Sequence, residues 1–206
     1  MLSIFFLSFA AIFFIIDPIG LVPIFLSMTA RDTPEKCRAM AGRACLTAAG
    51  VLLFFAVAGT LILEIFSLTL GAFRVAGGLL LLLTALDMLR AKHAATRTSP
   101  EEEQESASLD DIAIVPLAMP LLAGPGAIAT AMVLMAQHGS TWSGKVAVAS
   151  ALIAATAVAY LFLRGAQRVK KVLGQTGIAV LERVFGLILA AIAVQFVFDG
   201  AKSLLH

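Results

Sequence analysis

Six apolar stretches, each long enough to cross a lipid bilayer, constrain this chain more than any other feature. A spanning helix needs roughly 20 mainly apolar residues, and residues 1–29, 44–63, 65–89, 112–136, 146–163 and 179–204 each offer that length. The second, fourth and fifth stretches carry no charge. The first holds only Asp17, the third holds Arg74 and Asp87, and the sixth is apolar between Glu182-Arg183 and Asp199. Over the 206 residues 60% are hydrophobic and 14% charged, where a soluble domain carries about 25% charged residues. The polar surface that water requires is therefore missing. This excludes a secreted disulfide scaffold, a nucleic-acid-binding module and an ordinary cytosolic enzyme; a net charge of +2 gives no attraction to a polyanion. Cys37, Cys45, His93, His138 and His206 show no metal-ligand spacing, so no metal or cofactor is expected, and the bilayer is the solvent.

The first stretch differs from a cleavable signal peptide: residues 1–10 contain no Lys or Arg, and the apolar run is too long for an h-region. It reads as the first span. Orientation follows from the cations. Arg31, Lys36, Arg38 and Arg43 lie in loop one, Arg90, Lys92 and Arg97 in loop three, and Arg164, Arg168, Lys170 and Lys171 in loop five. The positive-inside rule places these loops in the cytoplasm and both termini on the outer side of an inner membrane.

Residues 96–110 are a polar linker in which Ser99-Pro100 and Ser108–Asp111 resemble helix starts. The linker divides a first three-helix repeat at 1–95 from a second at 111–206. The halves resemble each other: Arg74-Val75-Ala76-Gly77 matches Arg183-Val184-Phe185-Gly186, and Pro18 and Pro125 each interrupt the first span of a half. From proline to arginine is 56 residues in one half and 58 in the other. Three spans per half force the second to run through the membrane inverted. The expected fold is all-α: six transmembrane helices as two inverted three-helix repeats, with spans one and four broken.

The breaks carry the chemistry. Asp17-Pro18-Ile19-Gly20, followed by Pro23, lies mid-way along span one; Pro116, Pro120 and Gly124-Pro125-Gly126 lie in span four. Proline removes a backbone donor and disfavours helix in the residue before it. Irregular backbone in a bilayer persists only if buried in protein or lining a wet cavity. Asp17 before Pro18 reads as an N-cap opening a half-helix, as does Gly124 before Pro125, so both positive ends face inward. Matched interruptions in inverted halves point to a transporter's substrate site. Asp17 already balances the first helix end, whereas the amides near Gly126 and Ala127 remain for an external carboxylate. Asp17, with the carbonyls of Ile15 and Ile16, is expected to receive an ammonium group. Together these describe an α-amino acid, and Gly20, Gly124, Gly126 and Ala127 leave space for only a small side chain. The alternative is that both breaks are packing kinks. As the charge deepest in a span, Asp17 is also the proton-coupling candidate. Arg74 and Arg183 are expected to snorkel, Glu182 to neutralise Arg183, Asp87 and Asp199 to be interfacial, Gly77-Gly78 and Gly186 to pack helices, and Trp142 to anchor an outer loop.

The segments Asp17-Pro18-Ile19-Gly20-Leu21-Val22-Pro23-Ile24-Phe25 and Pro120-Leu121-Leu122-Ala123-Gly124-Pro125-Gly126-Ala127-Ile128 resemble the two signature segments of the MarC family of inner-membrane proteins. The resemblance extends over nearly the whole chain. It implies two inverted three-span repeats and, from relatives that include transporters of glycine and alanine, proton-driven transport of small neutral amino acids. Carried over by position, the site comprises Asp17, Pro18 and Gly20 with Gly124, Pro125 and Gly126. The chain departs from the pattern at Leu21, where many relatives have Asn, and at Ala129, where a hydroxyl residue often stands. The expected function is secondary transport of a small neutral amino acid with a proton, within membrane lipid and without nucleic acid. A small-solute channel or a non-transporting accessory protein is the alternative. An intramembrane enzyme is disfavoured because no nucleophile–base constellation is present. Transport direction and oligomeric state are not encoded in any motif.

Overall fold

The computed structural model describes residues 1–90 and 113–205, and these are helical, with no strand among the described residues. The helices are α1 (Leu2–Ile16), α2 (Leu21–Met28), α3 (Pro34–Ile65) and α4 (Leu70–Leu89). A π-helical segment (Ala113–Leu122) follows, then α5 (Pro125–His138), α6 (Trp142–Arg164) and α7 (Ala166–Leu204). The expected linker at 96–110, with both of its helix starts, lies outside the described residues.

Local chemistry sets most of the boundaries. Thr33, Thr69 and Thr141 each precede a helix and accept a hydrogen bond from a backbone N–H three residues on: Lys36 at 3.3 Å, Ala72 at 3.1 Å and Gly144 at 3.1 Å. The Thr33 cap and Pro34 start α3 well before the apolar stretch at 44, so the helix is longer than its hydrophobic part. The third apolar stretch loses its first residues to a turn, where Ser67 takes φ 53°. Helix α7 begins at Ala166 and bends at Gly174, φ 63°, before entering the sixth apolar stretch. That conformation is strained for a residue bearing a Cβ.

Helices α3, α4, α6 and α7 are long and apolar enough to cross a membrane. The pair α1 and α2, bent by 47°, adds a fifth crossing if it forms one span. The fourth expected span is observed as two pieces, the π segment and α5, on either side of Gly124. Pro116 and Pro120 lack N–H donors in that segment. It proceeds by wider turns, the last closed by the Ala123 N–H donating to the Ala118 carbonyl at 2.9 Å.

The exterior is greasy and the interior small. Leu46, Phe54, Val57, Leu61, Leu161 and Phe198 point outward from the long helices, an arrangement suited to lipid and not to water. On the inner face of α6, Ala147, Ala151, Ala155 and Ala159 recur at four-residue spacing and are all buried. Helix α1 packs on α6, α3 packs on the π segment and α5, and α4 lies along α7. The α4–α7 contact is close enough to need glycine. A Cβ on Gly78 would stand 2.9 Å from the Ala193 carbonyl, and one on Gly200 2.7 Å from the Gly71 carbonyl. Gly77-Gly78 and Gly186 are therefore packing positions, as small residues are wherever membrane helices meet closely.

Candidate functional site

The first break is compact. Asp17 takes the left-handed conformation, φ 49° and ψ 65°, and donates its N–H to the Phe13 carbonyl at 3.1 Å, which ends α1. Its carbonyl accepts from the Leu21 N–H at 3.2 Å and its carboxylate Oδ1 accepts from the Gly20 N–H at 3.2 Å. Asp17 is therefore the C-cap of α1 and not the expected N-cap of a half-helix: the N-cap of α2 is Gly20, whose amide the Asp17 carboxylate holds across the turn. This corrects the expectation that a half-helix starts at Pro18: residues 18–20 form a turn, and regular α2 begins at Leu21. A short polar side chain explains why a residue other than glycine can hold this conformation. Asp17, Pro18 and Gly20 are all buried.

A second carboxylate meets the first here. Glu182 of α7 is 7% exposed and Asp17 is 3% exposed, and they are the buried carboxylates among the described residues. A Cβ on Gly20 would collide with Oδ2 of Asp17 and stand 3.0 Å from Oε1 of Glu182. Both carboxylates thus occupy the space above one glycine. This overturns the reading of Glu182 as a neutraliser of Arg183: the helix turns Glu182 inward and leaves Arg183 exposed. Arg74 also departs from simple snorkelling, because its Nε is buried without a hydrogen-bond partner among the described residues. Asp199 is half-buried and accepts from Gln195 Nε2 at 2.8 Å, and Trp142 is exposed at the start of α6.

The second break follows the sequence closely. Gly124, extended at φ −71° and ψ 167°, is the N-cap of α5 and contributes no side-chain cap; Pro125 is the first helical residue. The Gly124 carbonyl accepts from Ile128 N–H at 3.0 Å. The amides of Gly126 and Ala127, which a first helical turn leaves over, have no acceptor among the described residues. One turn on, Thr130 is fully buried and its hydroxyl has no hydrogen-bond partner among the described residues.

A cavity of about 120 Å³ lies at this break. Gly124, Pro125, Gly126 and Ala127 form one wall, Leu81 and Thr84 of α4 another, and Ile15, in the last turn of α1, a third. The Thr84 hydroxyl donates to the Leu80 carbonyl at 3.1 Å. The second break and the helix end that precedes the first break therefore border the same space. Asp17, Pro18 and Gly20 do not line it. Asp17 was expected to face a ligand's ammonium group, but its carboxylate turns back onto the Gly20 amide and lies beside Glu182. Such a cavity can hold a small solute, with backbone donors suited to a carboxylate. A Cβ on Gly126 would come within 2.7 Å of Leu81 Cδ2, so there is little room for side chains along that wall.

Residues 2–205 match the family described as MarC family integral membrane protein. The chain belongs to the MarC family. It is 40% identical over 204 residues to UPF0056 membrane protein MJ1677 of Methanocaldococcus jannaschii, covering 99% of this chain and 98% of that protein. A UPF0056 membrane protein of Aquifex aeolicus is 37% identical over 198 residues, 96% and 92% of the two chains. UPF0056 membrane protein YhcE of Escherichia coli is 34% identical over 202 residues, 98% and 93% of the two chains. No solved structure matches.

For this MarC family chain, sequence reasoning located both breaks but missed Glu182 and Thr84. Glu182 was obscured by its neighbour Arg183 and by an apolar core of the span drawn just after the pair. Its signal was helical phase: Glu182, Gly186, Leu189 and Ala193 follow one another at three- and four-residue steps and are all buried. Thr84 gave no signal, since a hydroxyl in an apolar helix usually bonds its own backbone.

Proposed function

We propose that this protein is a secondary transporter of small neutral amino acids of the glycine, alanine and serine class, coupled to protons and working by alternating access. The observation that carries the reading is the cavity of about 120 Å³ bordered by both Ile15 and Gly124–Ala127. Its volume is near the roughly 150 Å³ that accommodates benzene in an engineered protein cavity, and glycine and alanine have no more heavy atoms than benzene. The amides of Gly126 and Ala127 supply donors for the substrate carboxylate. Pro125 and Gly124 hold that helix end open without a competing side chain. The proton step is assigned to Asp17, whose carboxyl shares the space above Gly20 with Glu182.

Alternating access in this reading uses six spans in two inverted repeats, with α1–α2 and the π segment–α5 as the broken spans. The packing supports it. Exchanging each element with its counterpart turns the α1–α6 contact into that of the π segment and α5 with α3, and leaves α4–α7 unchanged. Membership of an integral membrane family and the cationic loops favour an inner-membrane location with both termini outside.

Uptake of labelled glycine, alanine and serine into proteoliposomes, with and without an imposed pH gradient, tests the proposal. Saturable uptake driven by the gradient is expected for the wild type. Non-saturable flux indifferent to the gradient would instead indicate a channel, and no flux an accessory protein.

A further inference from the structure

A second and larger cavity, of about 540 Å³, opens where the end of α2 meets the start of α3 and the α6–α7 junction. Three of its lining residues are Arg38, Arg164 and Arg168, and beside them lie polar groups and the accessible apolar residues Leu26, Ala30 and Leu161. The one carboxylate on the lining, Asp32, is already paired with Lys36 at 2.8 Å. None of the three arginines makes an ion pair among the described residues. The cavity therefore offers unbalanced guanidinium charge next to hydrocarbon. It belongs to the loops whose cations predict a cytoplasmic position.

The surrounding helix is built for a membrane surface. Between Ala166 and the bend at Gly174, Ala166, Val169 and Leu173 pack inward while Arg168, Lys170 and Lys171 are exposed. This is the amphipathic pattern of a segment lying at the headgroup level. Guanidinium groups recognise phosphate oxygens in a planar, bidentate manner, and basic pockets between membrane helices on the cytoplasmic side hold anionic headgroups. A small neutral amino acid has no use for three cations, and this cavity is several times larger than the one at the second break.

We propose that this cavity binds the phosphate headgroup of an anionic phospholipid, with the Arg38, Arg164 and Arg168 guanidiniums on the phosphate and an acyl chain leaving along Leu26, Ala30 and Leu161. The site is separate from the substrate cavity, so it stands or falls independently of the transport reading. A free phosphate shares the headgroup chemistry but would leave those apolar residues uncovered.

The test is native mass spectrometry of the full-length protein purified with phosphatidylglycerol or phosphatidylcholine. The wild type is expected to retain phosphatidylglycerol preferentially. Arg38→Gln and Arg168→Gln should each weaken that retention about five-fold, the effect of one surface cation on anionic-lipid binding. Lys145→Gln with Lys202→Gln, exposed cations away from the lining and from this helix, should leave it nearly intact. Maleimide labelling of the wild type gives a variant-free readout, because Cys37 lines the cavity while Cys45 is buried in the core. Phosphatidylglycerol should slow the labelling of Cys37, and phosphatidylcholine should not. Equal retention of both lipids, or equal losses in the arginine and lysine variants, would overturn the proposal. Displacement of the lipid by millimolar inorganic phosphate would reassign the site to a free anion and overturn it as well.

Discussion

Asp17 does two jobs at one position, and substitution separates them. Its carbonyl and amide bonds need only a residue that tolerates φ 49°; the bond to Gly20 needs a side-chain acceptor. Asn supplies both but cannot carry a proton, so Asp17→Asn is expected to fold and to keep amino acid exchange. Accumulation driven by a pH gradient should fall at least about ten-fold, the ratio that one coupled proton sustains from a one-unit gradient (about 1.4 kcal/mol). Parallel counterflow and gradient-driven uptake measurements check this; loss of both together would mean that the carboxylate serves binding or folding instead. Glu182→Gln should show the same split if the two carboxyls act as one titrating unit, and uptake like the wild type would separate them. At this scale the sequence was legible in part. An Asp-Pro pair in an apolar run announces a cap, but the partner acid lies more than 160 residues away. It is brought to Gly20 only by the packing of α2 against α7.

Of the helix ends, the start of α5 at Gly124-Pro125 was legible, whereas the Thr33, Thr69 and Thr141 caps were not read, because apolar length alone drew those spans and the caps act through bonds within a single turn. The bend in α7 was not read, since an isolated glycine in a cationic segment resembles ordinary loop composition. At Gly174 a Cβ would meet nothing within 4 Å, so the backbone alone requires glycine. Gly174→Ala and Gly174→Asn are therefore both expected to cost about 1–3 kcal/mol, because φ 63° with ψ 179° is a region that essentially only glycine enters, outside the left-handed helical well that Asn tolerates. Thermal unfolding in detergent checks this, and an unchanged transition for Ala would contradict the bend. The α4–α7 seam fails for a different reason. In Gly200→Val the new side chain meets the Gly71 carbonyl, a backbone atom that cannot swing aside. Overpacking of this kind costs about 1–3 kcal/mol. The same transition should fall by several degrees, and a stability equal to wild type would show that the helices separate without penalty.

Across the whole molecule, the apolar stretches identify a membrane protein before any coordinate is considered, and family membership agrees. What composition could not convey was which surfaces meet, since lipid-facing and protein-facing residues are equally apolar and differ mainly in size. The buried alanines of α6 and the outward Leu161 on the same helix illustrate the difference. The cavity joining the second break to the end of α1 is the proposed seat of a small amino acid. Counterflow of labelled alanine in proteoliposomes by wild type, Gly126→Ala and Gly126→Leu tests it most directly. The Ala variant displaces only the end of Leu81 and should raise the half-saturating concentration about ten-fold. The Leu variant fills the cavity and should abolish exchange in protein that remains monodisperse and folded. Equal saturable exchange in all three would contradict the account.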